Sequence, residues 1–157
     1  MKVIKNILLI FLLVFVVAQF FRPEKNLGAY SSIDFFLEET SPSDEVKTIL
    51  KESCYDCHSD YTKYPWYSNI TPVNFWLANH IKAGKKHFNV SNWEGNSLDR
   101  KDHKIEELIE EVEEKKMPLT SYTLTHSQAK LSDKQIKSII DWAKLVRIKY
   151  ALLPKAE

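Results

Sequence analysis

Apolar positions recur with a helical period along most of this chain, but its first stretch is apolar almost without a break. Residues 3–21 are interrupted only by Lys5, Asn6 and Gln19, with Lys2 and Lys5 supplying positive charge. At about 1.5 Å per residue such a stretch is just long enough to cross a bilayer with Lys5 snorkelling. The competing reading is a signal peptide cut before Gln19, after Val16-Val17-Ala18, although an Ala-x-Ala site is lacking. In both readings the lysines favour an inside N-terminus and an exported remainder. The pattern predicts an anchor or transmembrane helix over 1–21.

Residues 22–42 are polar, with Pro23, Gly28 and several serines, and read as a tether onto which Ile33, Phe35, Phe36 and Leu37 can dock. A domain follows over 43–153. Its first helix starts near Ser43, where Asp44 and Glu45 suit the N-terminal dipole, and carries Val46, Ile49 and Leu50. An aromatic loop over 61–67 bends at Pro65. The next helix opens at Thr71, a good N-cap, with Pro72 at the first helical position. Val73, Trp76, Leu77, His80 and Ile81 share its inward face, and Gly84 reads as its stop. A loop with Phe88, Val90 and Trp93 leads to a third helix from Asp99. Ile105, Leu108, Ile109 and Val112 form its buried stripe, and its opposite, glutamate-rich face is solvated, with Glu111 and Lys115 at i, i+4. Met117-Pro118 ends it, because proline disfavours helix at the residue before it. The last helix opens on a Ser132/Gln135 capping box with Leu131 stapled to Ile136. Ile136, Ile139, Ile140, Ala143 and Val146 point inward, with Trp142 at the edge. The fold class expected is all-α.

Composition supports helix: three glycines are too few for a turn-rich β fold. A formal net charge of +1 and the lack of a basic, aromatic-interleaved patch argue against nucleic acid as a partner. Both cysteines lie in one run, Cys54-Tyr55-Asp56-Cys57-His58, so they speak of local chemistry rather than a disulfide framework.

That run is the c-type haem attachment motif. Thiols three positions apart on a turn of helix reach both vinyl groups of one haem, and the next residue carries an imidazole beneath the iron. A structural zinc site wants four ligands, usually in two separated pairs. A thioredoxin-like motif belongs beside a βαβ pattern, which is absent. One haem c per chain is expected, on Cys54 and Cys57, with His58 as proximal iron ligand. An electron carrier usually has two strong axial ligands. Met117 suits the distal position from its proline-stiffened loop, or else fills a gap beneath the third helix. His80 and His126 are its alternatives, and an open site is a further one. His87 and His103 read as solvated. Trp66, Tyr67, Trp76 and Trp93 either wall the haem or are ordinary packing.

The order of helix, Cys-x-x-Cys-His, Met-Pro and a final amphipathic helix resembles class I c-type cytochromes, in which the terminal helices cross and the methionine before the proline ligates iron. CYDCHSDYTKYPWYS (54–68), NVSNW (89–93) and MPLTSYTLTH (117–126) resemble the haem-binding domain family of membrane-anchored bacterial proteins. That resemblance implies haem c in the periplasm and supplies no reaction. The reading favoured is a single-pass inner-membrane protein whose periplasmic haem domain carries electrons to redox protein partners in or near the membrane. A haem-based sensor or gas binder and a peroxidase-like enzyme are the alternatives. No nucleophile elbow, zinc-protease helix or phosphate loop is present, which favours a carrier over an enzyme.

Overall fold

The computed structural model describes residues 1–154. Among them the chain forms α1 (Lys2–Ala18), α2 (Asp34–Thr40), α3 (Asp44–Ser53), α4 (Tyr55–His58), α5 (Val73–His87), α6 (Leu98–Glu113), α7 (Thr120–Thr123) and α8 (Asp133–Leu152), and no strand. The all-helical expectation holds. Local chemistry sets several starts. The Ser43 hydroxyl accepts from the Val46 N–H at 3.3 Å and that of Ser97 from the Arg100 N–H at 3.3 Å. Before α8, the Gln135 N–H donates to Ser132 Oγ at 3.3 Å while Gln135 Oε1 accepts from the Ser132 N–H at 2.9 Å. Each cap satisfies backbone donors that a helix cannot pair internally.

The core forms where α3, α6 and α8 meet, with Ile49, Leu50, Ile105, Val112, Ile139 and Val146 all buried. Phe36 sits fully buried among three other aromatic rings. Its centroid is 5.0 Å from Trp93, 6.1 Å from Trp142 and 6.2 Å from Phe88, all edge to face, the favoured geometry for such pairs. Trp142 therefore belongs to the core and not to the edge of its helix. Its indole N–H donates to the Thr40 carbonyl at 3.0 Å, which satisfies the polar handle that burial would otherwise orphan. Ile33 and Phe36, within 22–42, dock on the domain as buried core residues.

The membrane segment is corrected. Among the described residues no helix is long and apolar enough to cross a membrane. The expectation took the apolar stretch as continuous over residues 3–21, but α1 ends at Ala18. Gln19 is its C-cap, with its side-chain oxygen accepting from the Thr71 N–H at 2.9 Å and its amide donating to the Thr71 carbonyl at 3.1 Å. Phe20 and Phe21 lie beyond the helix, leaving 17 residues, about 26 Å at the usual rise against a hydrocarbon core of about 30 Å. The single-pass inner-membrane placement falls with the span.

Smaller differences follow similar causes. Thr71 does not cap α5; its hydroxyl donates to the Phe21 carbonyl at 3.1 Å and accepts from Asn74 Nδ2 at 2.9 Å. Lys115 leaves the helical path at φ 56° and pairs with Asp133 at 2.7 Å, away from Glu111. Gly84 does not stop α5, which continues to His87.

Glu39 ties α2 to the rest. It accepts from Lys101 Nζ at 2.7 Å, the Tyr150 hydroxyl at 2.6 Å and Trp93 Nε1 at 3.3 Å. Burial pushes its carboxyl upward, but these donors and the Lys101 charge outweigh burial and hold it below the usual carboxylate range. A depressed carboxylate stabilises the fold above its unfolded value of about 4.3 and loses that contribution as pH falls through the lower folded value. Glu39→Gln should therefore cost about 2 kcal/mol at neutral pH by urea denaturation, since it strands a buried lysine. The gap from wild type should shrink on acidification below about pH 4; a pH-independent gap would mean the carboxylate charge contributes nothing.

Candidate functional site

The end of α3 runs straight into α4, one turn that carries the whole cysteine–histidine motif. The Cys54 carbonyl accepts from the Cys57 N–H at 3.1 Å and from the His58 N–H at 3.0 Å. This winding brings Cys54, Cys57 and His58 together on a single turn. Both cysteines are free and half-buried. Burial, then the neighbouring Cys57, pushes the Cys54 thiol up to about 12. Burial, then Asp56, pushes Cys57 up to about 11. Reactive redox cysteines sit in surroundings that lower their pKa, and these surroundings do the opposite. The pair is held as neutral thiols.

His58 is fixed by a hydrogen bond from its Nδ1 to the Phe88 carbonyl, 2.8 Å long. A carbonyl only accepts, so Nδ1 carries the proton and Nε2 keeps a free lone pair. Burial lowers the imidazole pKa despite the backbone carbonyls of Phe88 and Gly84, which raise it, so the ring is neutral. A neutral imidazole with one nitrogen anchored to a backbone carbonyl is the arrangement that orients a metal-ligating histidine.

The carbonyl is available because α5 reaches His87 and delivers Phe88 as its C-cap. For that, α5 must lie against α4 with almost no gap. A Cβ on Gly84 would stand 2.6 Å from the Cys57 carbonyl oxygen and 3.1 Å from Cys57 Cβ. Glycine is required there by close approach. The turn is braced behind as well: Thr62 Oγ1 donates to the Asp56 carbonyl at 2.6 Å.

The remaining predicted ligands lie on separate elements. Met117 is half-buried just past α6, its N–H bonded to the Glu111 carbonyl at 3.0 Å, and its peptide bond to Pro118 is cis. The segment it begins comes back to the motif, where the Tyr122 hydroxyl donates to Asp56 Oδ2 at 2.8 Å. His126 is half-buried and stacks on the Tyr122 ring at 4.1 Å. His80 bonds through Nδ1 to the Trp76 carbonyl at 2.8 Å. The expected inward face of α5 is rotated: Asn74, Leu77 and Ile81 are buried, His80 is half-buried and Trp76 is 45 % exposed. Of the four aromatics considered as haem walls, Trp93 is core and Trp66 is 78 % exposed. His87 is exposed, and His103 pairs with Glu107 at 3.2 Å on the acidic face of α6.

Among the described residues no group of three or more His, Cys, Asp or Glu is placed to hold a bare metal ion. Haem brings its own ring nitrogens and asks the chain only for axial ligands and, in the c-type, two thiols. The turn supplies that donor set: two free thiols and one imidazole with Nε2 open. The residues fit the group.

The model of the family described as haem-binding domain matches residues 13–145, and the chain belongs to that family. It is a haem-binding protein. No curated protein and no solved structure matches the chain.

Sequence reasoning missed Phe88 and Tyr122 as partners of the motif, and misread Gly84. A glycine inside an otherwise helical stretch is the one signal that pointed to close backbone approach. Gly84→Ala gains helix propensity of up to about 1 kcal/mol, yet the clash with Cys57 backbone should leave a net loss of roughly 1–3 kcal/mol. Thermal denaturation should show a lower Tm; a higher one would mean that α4 and α5 are not in this contact.

Proposed function

We propose that the chain binds one haem c through thioethers from Cys54 and Cys57, with His58 and Met117 as axial ligands, and works as an electron carrier. The observation that carries this reading is the Nδ1 bond from His58 to the Phe88 carbonyl, which leaves Nε2 as the only ring nitrogen free to ligate. When bound, haem supplies a one-electron ferric/ferrous couple. The chain's own residues do the rest. Cys54 and Cys57, kept as thiols, form the covalent tethers, and Phe88 holds the proximal ring in one tautomer and one orientation. Met117 would hold the iron from the second side, which would leave no open position for a substrate. A thioether opposite an imidazole raises the potential, which suits exchange with a redox protein partner.

Support for Met117 over His80 comes from the bond between Tyr122 and Asp56, which brings the segment after Met117, and not α5 at His80, onto the attachment turn; over His126, on the same segment, Met117 is favoured as the thioether that a carrier pairs with an imidazole.

Two measurements test this. Chain produced with haem-attachment machinery should keep its haem on a denaturing gel, and Cys54→Ser with Cys57→Ser should release it to acidic solvent. Retention by the double variant would exclude thioethers at these positions. The ferric protein should be low-spin with the weak far-red methionine–iron band. Met117→Ala should abolish that band while His80→Ala and His126→Ala leave it; a high-spin wild type that binds carbon monoxide would contradict the carrier reading.

A further inference from the structure

Residues 117–126 hold the distal ligand of the proposed function and are tied to the domain by two tyrosines. Tyr122, on the single turn α7, donates its hydroxyl to Asp56 Oδ2 at 2.8 Å across 66 positions of sequence. Asp56 lies between the two cysteines, and its other oxygen accepts from the Lys63 N–H at 2.9 Å, so the carboxylate is fixed at both ends. The Tyr122 ring lies nearly parallel to His126, with centroids 4.1 Å apart and planes at 13°. His126 Nδ1 is 3.1 Å from Thr125 Oγ1, which in turn is 2.9 Å from the Tyr67 hydroxyl. The Tyr122 N–H bonds to the Leu119 carbonyl at 2.9 Å, which closes a turn over 119–122, two residues after Met117.

We infer that Tyr122 is a positioning residue for the distal ligand: its bond to Asp56 clamps the Met117 segment onto the turn that carries Cys54, Cys57 and His58. The inference rests on Met117 being that ligand. The physical reason is loop entropy. A thioether on an untethered connection must be ordered each time it ligates, whereas a clamped one is preorganised. The clamp is a phenol donating to a carboxylate, the stronger class of hydrogen bond.

The test is a titration of the full-length ferric holoprotein with imidazole, which competes for the distal position. Tyr122→Phe removes the donor and keeps the ring. It should bind imidazole roughly tenfold more tightly than wild type, from the loss of one charge-assisted hydrogen bond, and should weaken the far-red methionine–iron band. Asp56→Asn removes the charge from the opposite side and should do the same, which keeps the inference open to test if either variant accumulates poorly. The double variant should shift no further than the larger single one, because both break the same bond. Ser121→Ala, exposed on the same turn, should titrate as wild type. Met117→Ala separates the two levels of the reading. If it binds imidazole no more tightly than wild type, Met117 is not the ligand and both readings fall. If it binds more tightly while Tyr122→Phe and Asp56→Asn stay within twofold of wild type, the ligand stands and the clamp is overturned.

Discussion

The hydrogen bond from His58 Nδ1 to the Phe88 carbonyl joins the site to everything else in the fold. In net free energy it is worth only about 1 kcal/mol; what it fixes is direction. It selects the tautomer and fixes the ring's orientation. The acceptor is in place because α5 runs without a break to His87, and α5 comes that close because Gly84 leaves room for the Cys57 carbonyl. Phe88 is held in turn. Its ring lies 5.7 Å from Trp93 and 6.2 Å from Phe36, within the aromatic cluster that Glu39, Trp142 and Tyr150 secure. The core thus reaches the imidazole through Phe88, whose carbonyl accepts from Nδ1 and whose ring lies 5.6 Å from the imidazole while packing on Trp93 and Phe36.

Burial sets the protonation states in the same turn. Both cysteines are held as thiols and the histidine as a neutral ring, each because water is kept from the charged form. Glu39 shows the opposite outcome under the same rule. Three donors, one of them a lysine, meet its carboxylate, so its charge survives burial. The difference lies in partners: among the described residues, burial and the groups acting on the two thiols, Cys57 and Asp56, all disfavour a thiolate. That separates this turn from the redox-active Cys-x-x-Cys sites in which a lowered pKa is the working feature.

Much of the fold was legible because short-range chemistry determines it. Ser43 and the Ser132/Gln135 box marked helix starts, and the buried stripes of α3, α6 and α8 followed from period alone. The haem motif was legible because its five residues are contiguous. What escaped was non-local. Gly84 read as a helix stop, since nothing in its neighbours announces a helix passing over Cys57. Trp142 looked peripheral by helical angle, but the Thr40 carbonyl waits for its N–H. The apolar run at the start of the chain gave no sign that the helix would end at Ala18 with Gln19, its cap, bonded to Thr71 52 positions away. The Tyr122–Asp56 bond was invisible for the same reason.

Covalent attachment at one turn is the central claim, and a peptide digest of chain made with haem-attachment machinery tests it most directly. Mass spectrometry of the peptide containing Cys54 to His58 should show one haem added to that peptide and to no other, with neither thiol open to alkylation. Recovery of the same peptide with both thiols alkylated and no added haem, from protein that still shows a haem spectrum, would contradict it.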